Sequence, residues 1–506
     1  MTTPRLLSER GGGFHRRQEL RPSGRRWPGA PRPGAAGRVL IVSNRLPATV
    51  RVEDGEVRLV PSSGGLATGL RGVHERLPGL WIGWSGAVGT LPPQDQRAVD
   101  RVLAGTGARS VPLEADEVAA FYQRYANGAL WPVLHGSAPE GPEPADWETY
   151  RAINERYADL VAEEARPGDR VWVHDYHLML VPRLLRGRRP DVRVGFFLHT
   201  PFPELAAWRA LPQADALLDG MLGADALGFH VAAYASRFAR AVEALRGVPA
   251  PLVSGAGVLD DAGRPVAVHA TPMGIDVDAF AARSTDPQAQ ELADGLRGDG
   301  GPLFVGVDRL DPTKGIPERL DAFGRLLDRR PDLRGRARLV QLAVPSREDV
   351  PAYRALKARV ETLVERINAR HGTADHQPVH YVYGSVDATG LAALYLAADV
   401  MLVTPLCDGM NLVAKEFVAT RTDDEGVLVL SERAGAAAEL RAALQVDPRD
   451  PEALTAAYER ALDLSPAERR VRMRRLRQRV AAYDVRRWSD DCLARLAPPP
   501  AAQPAR

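Results

Sequence analysis

At 506 residues, 26% charged and 45% hydrophobic, the chain is too long for a single core and reads as two or three soluble globular domains. No apolar run approaches the roughly 20 residues of a membrane span, no apolar segment opens the N-terminus as a secretory signal would, and Cys407 and Cys492 alone make neither a disulfide framework nor a zinc spacing, which fits a reducing cytoplasm. The net charge of +2 conceals +7 within residues 1–38 and −5 over the remainder, a balance that argues against nucleic-acid binding by the body of the protein.

In chain order, residues 1–38 mix arginine with seven Gly and five Pro and show no period, the composition of a disordered extension. Arg38–Ser43 is a first buried strand, followed at once by Asn44-Arg45-Leu46-Pro47. Residues 62–70, with Gly64 and Gly65, form a glycine loop that runs into a helix; it lacks both the Lys-Ser/Thr of a P-loop and the spacing of a dinucleotide fingerprint. Trp81–Gly86 is a further strand. Phe121, Tyr122, Tyr125, Asn127, Leu130 and Trp131 lie on a helix that Pro132 is expected to end, and their spacing reads as core. Strands at Val171–His174, Val194–Leu198 and Ala226–Phe229, each leading into a helical pattern, make residues 39–278 a doubly wound parallel α/β domain.

A polar stretch near 285–301 reads as the linker, taken as 279–301. The alternation resumes with strands at Leu303–Val307, Arg338–Val344, Tyr381–Tyr383, Val400–Thr404 and Val427–Leu430, separated by long Arg-rich helices. Residues 302–480 thus form a second Rossmann-like domain, facing the first across a cleft. Residues 481–497 are expected as a C-terminal helix that packs back toward the N-terminal domain, and 498–506 as a frayed tail.

Polar residues that end buried strands carry the chemistry, because open α/β sheets hold ligands at the carboxyl ends of their strands. Arg309 and Lys314 flank a turn with a glycine and a helix start, the arrangement of a phosphate site. Arg347 and Arg45 end apolar strands of the two domains and suggest a second phosphate held across the cleft. Asp408-Gly409-Met410-Asn411 leads into a helix at Leu412, with Asn411 suited to N-cap it, and offers backbone N–H groups to an anion or a sugar hydroxyl. His174-Asp175-Tyr176-His177 ends one strand and His199 the next. The H-x-x-H pair lacks a third ligand at metal spacing, so a metal site is discounted; Asp175 and His199 read as partners of sugar hydroxyls, with Asp175 the proton handler. Of 66 basic residues only Lys314, Lys357 and Lys415 are lysine, and two of these fall in the stretches just marked.

The segments SNRLP (43–47), GGL (64–66), WIGWSG (81–86), LWP (130–132), VWVHDYHLMLVP (171–182), HTPFP (199–203), GFH (228–230), VDRLD…KGI (307–316), AVPSR (343–347) and DGMNLVAKE (408–416) resemble retaining trehalose-6-phosphate synthases in order and spacing. That resemblance implies a GT-B glycosyltransferase without cofactor or metal. It moves glucose from a nucleotide-glucose, with UDP favoured over ADP or GDP, to glucose 6-phosphate. It also implies that Arg309 and Lys314 meet the donor diphosphate above Gly65, that Asp408, Gly409, Met410 and Asn411 hold the donor glucose beside His199, and that Leu412, Val413 and Glu416, in the run through Ala414 and Lys415, hold the nucleoside. The acceptor falls to Arg45, Tyr122, Trp131, Asp175 and Arg347. Tyr122 and Trp131 thereby move from core to site.

Cys407 stands where the family commonly has Arg, and Pro312 where it often has an aromatic. No phosphatase-like half follows residue 500, so the phosphorylated disaccharide is the expected product. Two other readings keep the fold: an enzyme with a changed substrate, such as a glucosylglycerol-phosphate synthase or a pseudo-glycosyltransferase, and a non-catalytic sugar-phosphate sensor. The retained charges at Arg45, Arg309, Lys314, Arg347 and Glu416 argue against the sensor. A homo-oligomer is compatible with the sequence; membrane or nucleic-acid partners are not expected.

Overall fold

The computed structural model describes residues 37–497 except 54–55, 62–64, 90–91, 140, 299 and 349. It divides into two compact units: an N-terminal one that ends at Pro272 and regains the chain from Arg486 onward, and a C-terminal one spanning Met273–Val485. Residues 1–36 of the Arg-rich extension lie outside the described part. Arg38, expected to belong to it, is instead held: its guanidinium pairs with Asp169 at 2.7 Å and donates to Glu164 O.

In the N-terminal unit the described strands are β1 (Val39–Arg45), β2 (Ala48–Glu53), β3 (Glu56–Pro61), β4 (Gly79–Trp84), β5 (Ala108–Ser110), β6 (Arg170–His174), β7 (Arg193–Leu198), β8 (Ala226–Phe229), β9 (Gly257–Asp261) and β10 (Arg264–Ala270). Their order in the main sheet is β5-β4-β1-β6-β7-β8-β10-β9; β2 and β3 pair only with each other, as an antiparallel hairpin. All neighbours are parallel except β9 and β10. Runs such as Val39-Leu40-Ile41-Val42 are buried throughout because helices cover both faces. The chain passes from β1 to β4 on one side of the sheet and later to β6 on the other, so the order reverses between β1 and β6.

The C-terminal unit follows the same logic with β11 (Leu303–Arg309), β12 (Arg338–Val344), β13 (Val379–Tyr383), β14 (Val400–Val403), β15 (Val427–Ser431) and β16 (Leu444–Val446), ordered β13-β12-β11-β14-β15-β16 and parallel throughout. This is the doubly wound dinucleotide-fold order, with its switch point between β11 and β14.

Two local expectations are corrected. Residues 287–297, read as linker, form the helix Pro287–Arg297, N-capped by Asp286, and its Ala289 and Ala293 are buried in the C-terminal core. Small residues at i and i+4 gave a weak apolar stripe that its polar neighbours masked. The aromatic helix is not ended by Pro132: Val118–Leu130 is π-helical and runs directly into an α-helical turn, Trp131–Leu134, in which Pro132 occupies the first turn, where its missing N–H costs nothing. The aromatics are core as their spacing suggested: Phe121, Tyr125, Leu130 and Trp131 are buried, and Tyr122 packs against them.

The helix Pro144–Glu164 buries Tyr150 and Tyr157 against the sheet and fixes two strand ends at once. Tyr157 Oη donates to Asn44 O (2.9 Å) and accepts from Trp84 N (3.1 Å), while Tyr150 Oη donates to Tyr176 O (2.8 Å). The C-terminal helix Val485–Ala494 belongs to this unit from Arg486 on, and Trp488 packs against Trp172 (5.1 Å between centroids) and edge-on to Phe197 (5.2 Å).

In the C-terminal unit, Arg319 on the helix Ile316–Arg329 is fully buried. It pairs with Asp308 and donates to Gln341 Oε1 (2.8 Å) and Thr404 Oγ1 (3.0 Å). Replacing Arg319 by Met removes the cation and leaves a buried carboxylate uncompensated, so the C-terminal unit should lose about 3–5 kcal/mol. Urea unfolding followed together with hydrogen exchange at β11 and β12 measures it, and an unchanged unfolding midpoint would contradict the assignment.

Candidate active site

In both units marked residues fall at the carboxyl ends of the two strands that flank the switch point, with Arg347 and His199 after the neighbouring β12 and β7. Arg45 and Asp175 follow β1 and β6; Arg309 and the Asp408 loop follow β11 and β14. This is where an open α/β sheet leaves backbone groups unpaired and a crevice between diverging connections.

In the C-terminal unit, strand alternation turns Asp308 inward to Arg319 and Arg309 outward, where it is exposed. Asp311 then caps a 3₁₀ turn, Pro312–Lys314, by accepting from Thr313 N (3.0 Å) and Thr313 Oγ1 (2.8 Å). Pro312 opens that turn, a position its fixed φ suits, so this departure from the family pattern is accommodated locally. Gly315 is left-handed (φ 65°), and a Cβ there would lie 2.5 Å from Thr404 O, so only glycine lets the two loops meet. Thr313 O accepts from Leu406 N (2.8 Å) and Cys407 N (3.4 Å) and fastens the second loop to the first.

The result is a pair between Lys314 Nζ and Asp408 Oδ2 at 2.5 Å, both side chains largely buried. Asp408 also accepts from Gly409 N and from Asn411 Nδ2, each at 2.9 Å. Asn411, at φ 65°, precedes the helix Leu412–Thr420, but its side chain does not cap that helix as expected; it turns back to Asp408. Its Oδ1 is buried and has no hydrogen-bond partner among the described residues. Glu416, one turn into the helix, accepts from Tyr395 Oη (2.8 Å); burial raises the Glu416 carboxyl above its usual range.

Lys415 departs from the expectation for a donor-binding side chain. It is 2% exposed, and its ammonium bonds Met273 O (2.7 Å) and Glu439 (2.5 Å), so the side chain is structural. Arg347, three residues past the end of β12, has φ 51° and pairs with Asp311 at 3.3 Å. Burial pushes the Asp311 carboxyl up, yet the charges of Arg347, Arg309 and Lys314 hold it well below the ordinary carboxylate range.

In the N-terminal unit, Arg45 lies 4.4 Å over the Trp84 ring and donates to Thr49 Oγ1 (3.2 Å). Burial lowers its pKa, though an arginine stays charged. Trp84 meets Tyr122 edge-on at 6.3 Å, and Tyr122 stacks on His177 at 5.6 Å and 11°. Tyr176 continues the run, 5.6 Å from Trp131. One aromatic chain therefore joins Arg45, Tyr122 and Trp131. Asp175 has φ 75°, and its Oδ1 accepts from His199 N (3.2 Å). His199 Nε2 faces His174 Nδ1 at 3.1 Å, so the two histidines of H-x-x-H go separate ways, one to His199 and the other to Tyr122. Gly64 lies outside the described residues; Gly65 opens the helix Gly65–Arg76. Among the described residues no three His, Cys, Asp or Glu side chains cluster as metal ligands, and no helix is long and apolar enough to cross a membrane.

Sequence reasoning missed Trp84 as a platform for Arg45, Tyr395 beneath Glu416, and Tyr353. The WIGWSG motif was the available signal for the first; the other two sit in helices with no local mark.

Two doubly wound sheets, each gathering charged and polar side chains at its switch point, define the GT-B class of glycosyltransferases. Residues 37–498 match the sequence model of glycosyltransferase family 20, and the chain belongs to that family. It is 42% identical over 468 residues to a bifunctional trehalose-6-phosphate synthase/phosphatase of Thermoproteus tenax, covering 90% of this chain but 62% of that longer relative. It is 41% identical over 469 residues to a trehalose-6-phosphate synthase of Mycolicibacterium smegmatis, covering 90% of this chain and 92% of the relative. Among solved structures, an α,α-trehalose-phosphate synthase (UDP-forming) from Burkholderia xenovorans in complex with glucose 6-phosphate superposes with a TM-score of 0.81 at 32% identity, over 91% of this chain and all of that one. A chain from E. coli bound with UDP-2-fluoro glucose gives the same TM-score and identity over 91% and 99%.

Buried histidines carry a pH prediction. Burial first, and then His199, holds His174 well below the ordinary histidine pKa, and burial with Arg495 lowers His269 to about 3. Unfolded, both titrate near 6.5, so below that pH the unfolded chain binds protons that the folded chain does not, and stability falls with pH. As pH falls below 6.5, His269 should cost up to about 1.4 kcal/mol per pH unit, and His174 acts in the same direction. Urea midpoints at pH 7 and 5 test this; the drop should shrink in His269→Gln.

Proposed function

We propose that the chain transfers glucose from UDP-glucose to glucose 6-phosphate with retention, forming α,α-trehalose 6-phosphate and UDP. The observation that carries this reading is the Lys314–Asp408–Asn411 cluster: a cation that suits a diphosphate, bonded to a carboxylate and an amide that suit sugar hydroxyls, at the switch point of the C-terminal sheet. Names and bound ligands of the family members support the choice of substrates.

In this reading Arg309 and Lys314 meet the donor diphosphate. An ammonium has three N–H donors and only one is needed for Asp408, so Lys314 serves phosphate and carboxylate together. Asp408, Asn411 and the backbone of Gly409 and Met410 orient the glucose, and Glu416, kept in place by Tyr395, accepts from the ribose. On the acceptor side Arg45 and Tyr122 bind the phosphate, with Arg347 as a further partner, while Trp131 and Asp175 receive its sugar; His199 is assigned to the donor glucose. The bond from the anomeric carbon to the diphosphate oxygen breaks as the acceptor's anomeric hydroxyl attacks the same face. The hydroxyl proton passes to the departing phosphate oxygen, and Arg309 and Lys314 stabilise the charge that develops there.

Incubation with glucose 6-phosphate and UDP-, ADP- or GDP-glucose, with NMR of the product, tests the proposal. An α,α-1,1-linked disaccharide phosphate, formed fastest from UDP-glucose, is expected; another linkage or no transfer overturns it. Arg309→Ala and Lys314→Ala should each lower kcat by at least ~100-fold, the loss typical of a charge aimed at a transition state. Near-wild-type turnover in both variants would remove these residues from the site.

A further inference from the structure

Resting on the substrate assignment above, we infer that Tyr353, together with Asp311, is a positioning residue that presents Arg347 to the acceptor's phosphate.

Arg347 is an awkward residue on which to base phosphate binding. Its backbone is left-handed (φ 51°) without being glycine, and it lies three residues past the end of β12, in an irregular connection. A long flexible side chain at such a point loses several rotatable bonds of freedom when it binds. The loss is smaller if the guanidinium is already held, and two groups hold it. Tyr353, in the first turn of the helix Pro351–His371, accepts from Arg347 Nη1 and donates to Asp311 Oδ2 at 2.8 Å. Asp311 Oδ2 itself faces Arg347 Nη1 at 3.3 Å. The three groups close a triangle in which the phenol uses its one donor on the carboxylate and offers an oxygen lone pair to the guanidinium. The Tyr353 ring also lies 5.4 Å from the guanidinium carbon. Both bonds engage Nη1, one end of the planar fork, and so fix the plane in which the rest of the guanidinium lies.

The triangle is buried. Asp311 is fully enclosed and Tyr353 is 6% exposed. Loss of the phenol oxygen would deprive both the carboxylate and the guanidinium of a partner where water does not easily replace it. Asp311 has a second duty, capping the turn that carries Lys314, and it feels the charges of Arg309 and Lys314 as well as Arg347. The two groups should therefore behave differently. Tyr353 bonds Arg347 and only the Oδ2 of Asp311, leaving the Oδ1 that caps the Lys314 turn in place, whereas Asp311 itself acts on Arg347 and on the donor-side cations.

Steady-state kinetics of Tyr353→Phe and Asp311→Asn, with both substrates varied, separate these roles. Tyr353→Phe should raise the KM for glucose 6-phosphate about tenfold and leave the KM for UDP-glucose within twofold of wild type, while Asp311→Asn should raise both. A merely structural role for Tyr353 would move melting temperature without this split. Either an unchanged glucose 6-phosphate KM or an equal rise in both KM values for Tyr353→Phe would overturn the inference. Calorimetric titration with inorganic phosphate separates this inference from the substrate assignment. If the wild-type protein fails to turn over glucose 6-phosphate, the assignment falls. Weaker phosphate binding by Tyr353→Phe would still support the positioning role, and equal binding would refute it.

Discussion

Asp308 and Arg319 are the pair on which the C-terminal site depends. Their side chains are almost wholly enclosed, and the guanidinium spreads its donors over Asp308 near the end of β11, Gln341 in the middle of β12 and Thr404 just past β14. A Cβ on Gly306 would collide with Arg319 Nη1 and Gln341 Oε1, so a glycine in the middle of β11 makes room for the network. A buried ion pair is a poor source of stability, because desolvation consumes most of the Coulombic gain. Its effect here is geometric. One rigid group on the helix Ile316–Arg329 ties together the three strands from which Arg309, Arg347 and the Asp408 loop depart, and steadies their relative positions.

The N-terminal unit reaches a similar end with neutral groups. Tyr157 and Tyr150, from a single helix, each bond a backbone carbonyl at the exit of β1 or β6. Phenols avoid the desolvation penalty of charges and leave Arg45 as the main cation near that switch point. Asp175, Arg347 and Asn411 adopt positive φ without being glycine. Such conformations cost of order 1–3 kcal/mol each and persist only where surrounding contacts over-determine them. All three are held by side-chain or backbone hydrogen bonds within their own unit. Three of the six such residues among the described ones, the others being Ser254, Ala262 and Asp424, thus follow strands that carry the proposed ligand groups.

Both parallel sheets were legible in the sequence because a strand buried on two faces is an unbroken apolar run, as in Val39–Val42 or Val400–Val403. Strands with one wet face were not: the hairpin Ala48–Pro61 and the pair Gly257–Ala270 carry Arg, Glu and Asp in alternation and merge with the loops around them. Short edge strands such as Ala108–Ser110 and Leu444–Val446 fall below the length at which a period can be seen. The residues of the proposed site were legible where a motif placed them at a strand end. Their supports, Tyr353 and Tyr395, were not, because each acts from a distant helix and local spacing holds no information about the partner.

Lysine usage shows how far composition alone can be taken. With 63 arginines against three lysines, a retained lysine invites a chemical reason. Lys314 and Lys415 are both buried, and each ends 2.5 Å from a single carboxylate oxygen within a packed interior. A point charge on a thin stem fits such a space, whereas a guanidinium would need room for a planar fork and partners for five N–H groups. Lys357 is the contrast: it is half-buried, pairs with Glu361 one turn along its helix, and lies over the Tyr383 ring, contacts that an arginine would also make. The common cause at positions 314 and 415 is therefore compactness, and only position 314 combines it with a switch-point loop. Scarcity of a residue type located two constrained cations, but the topology of the sheet separates the one in the proposed site from the one that holds Glu439 to Met273.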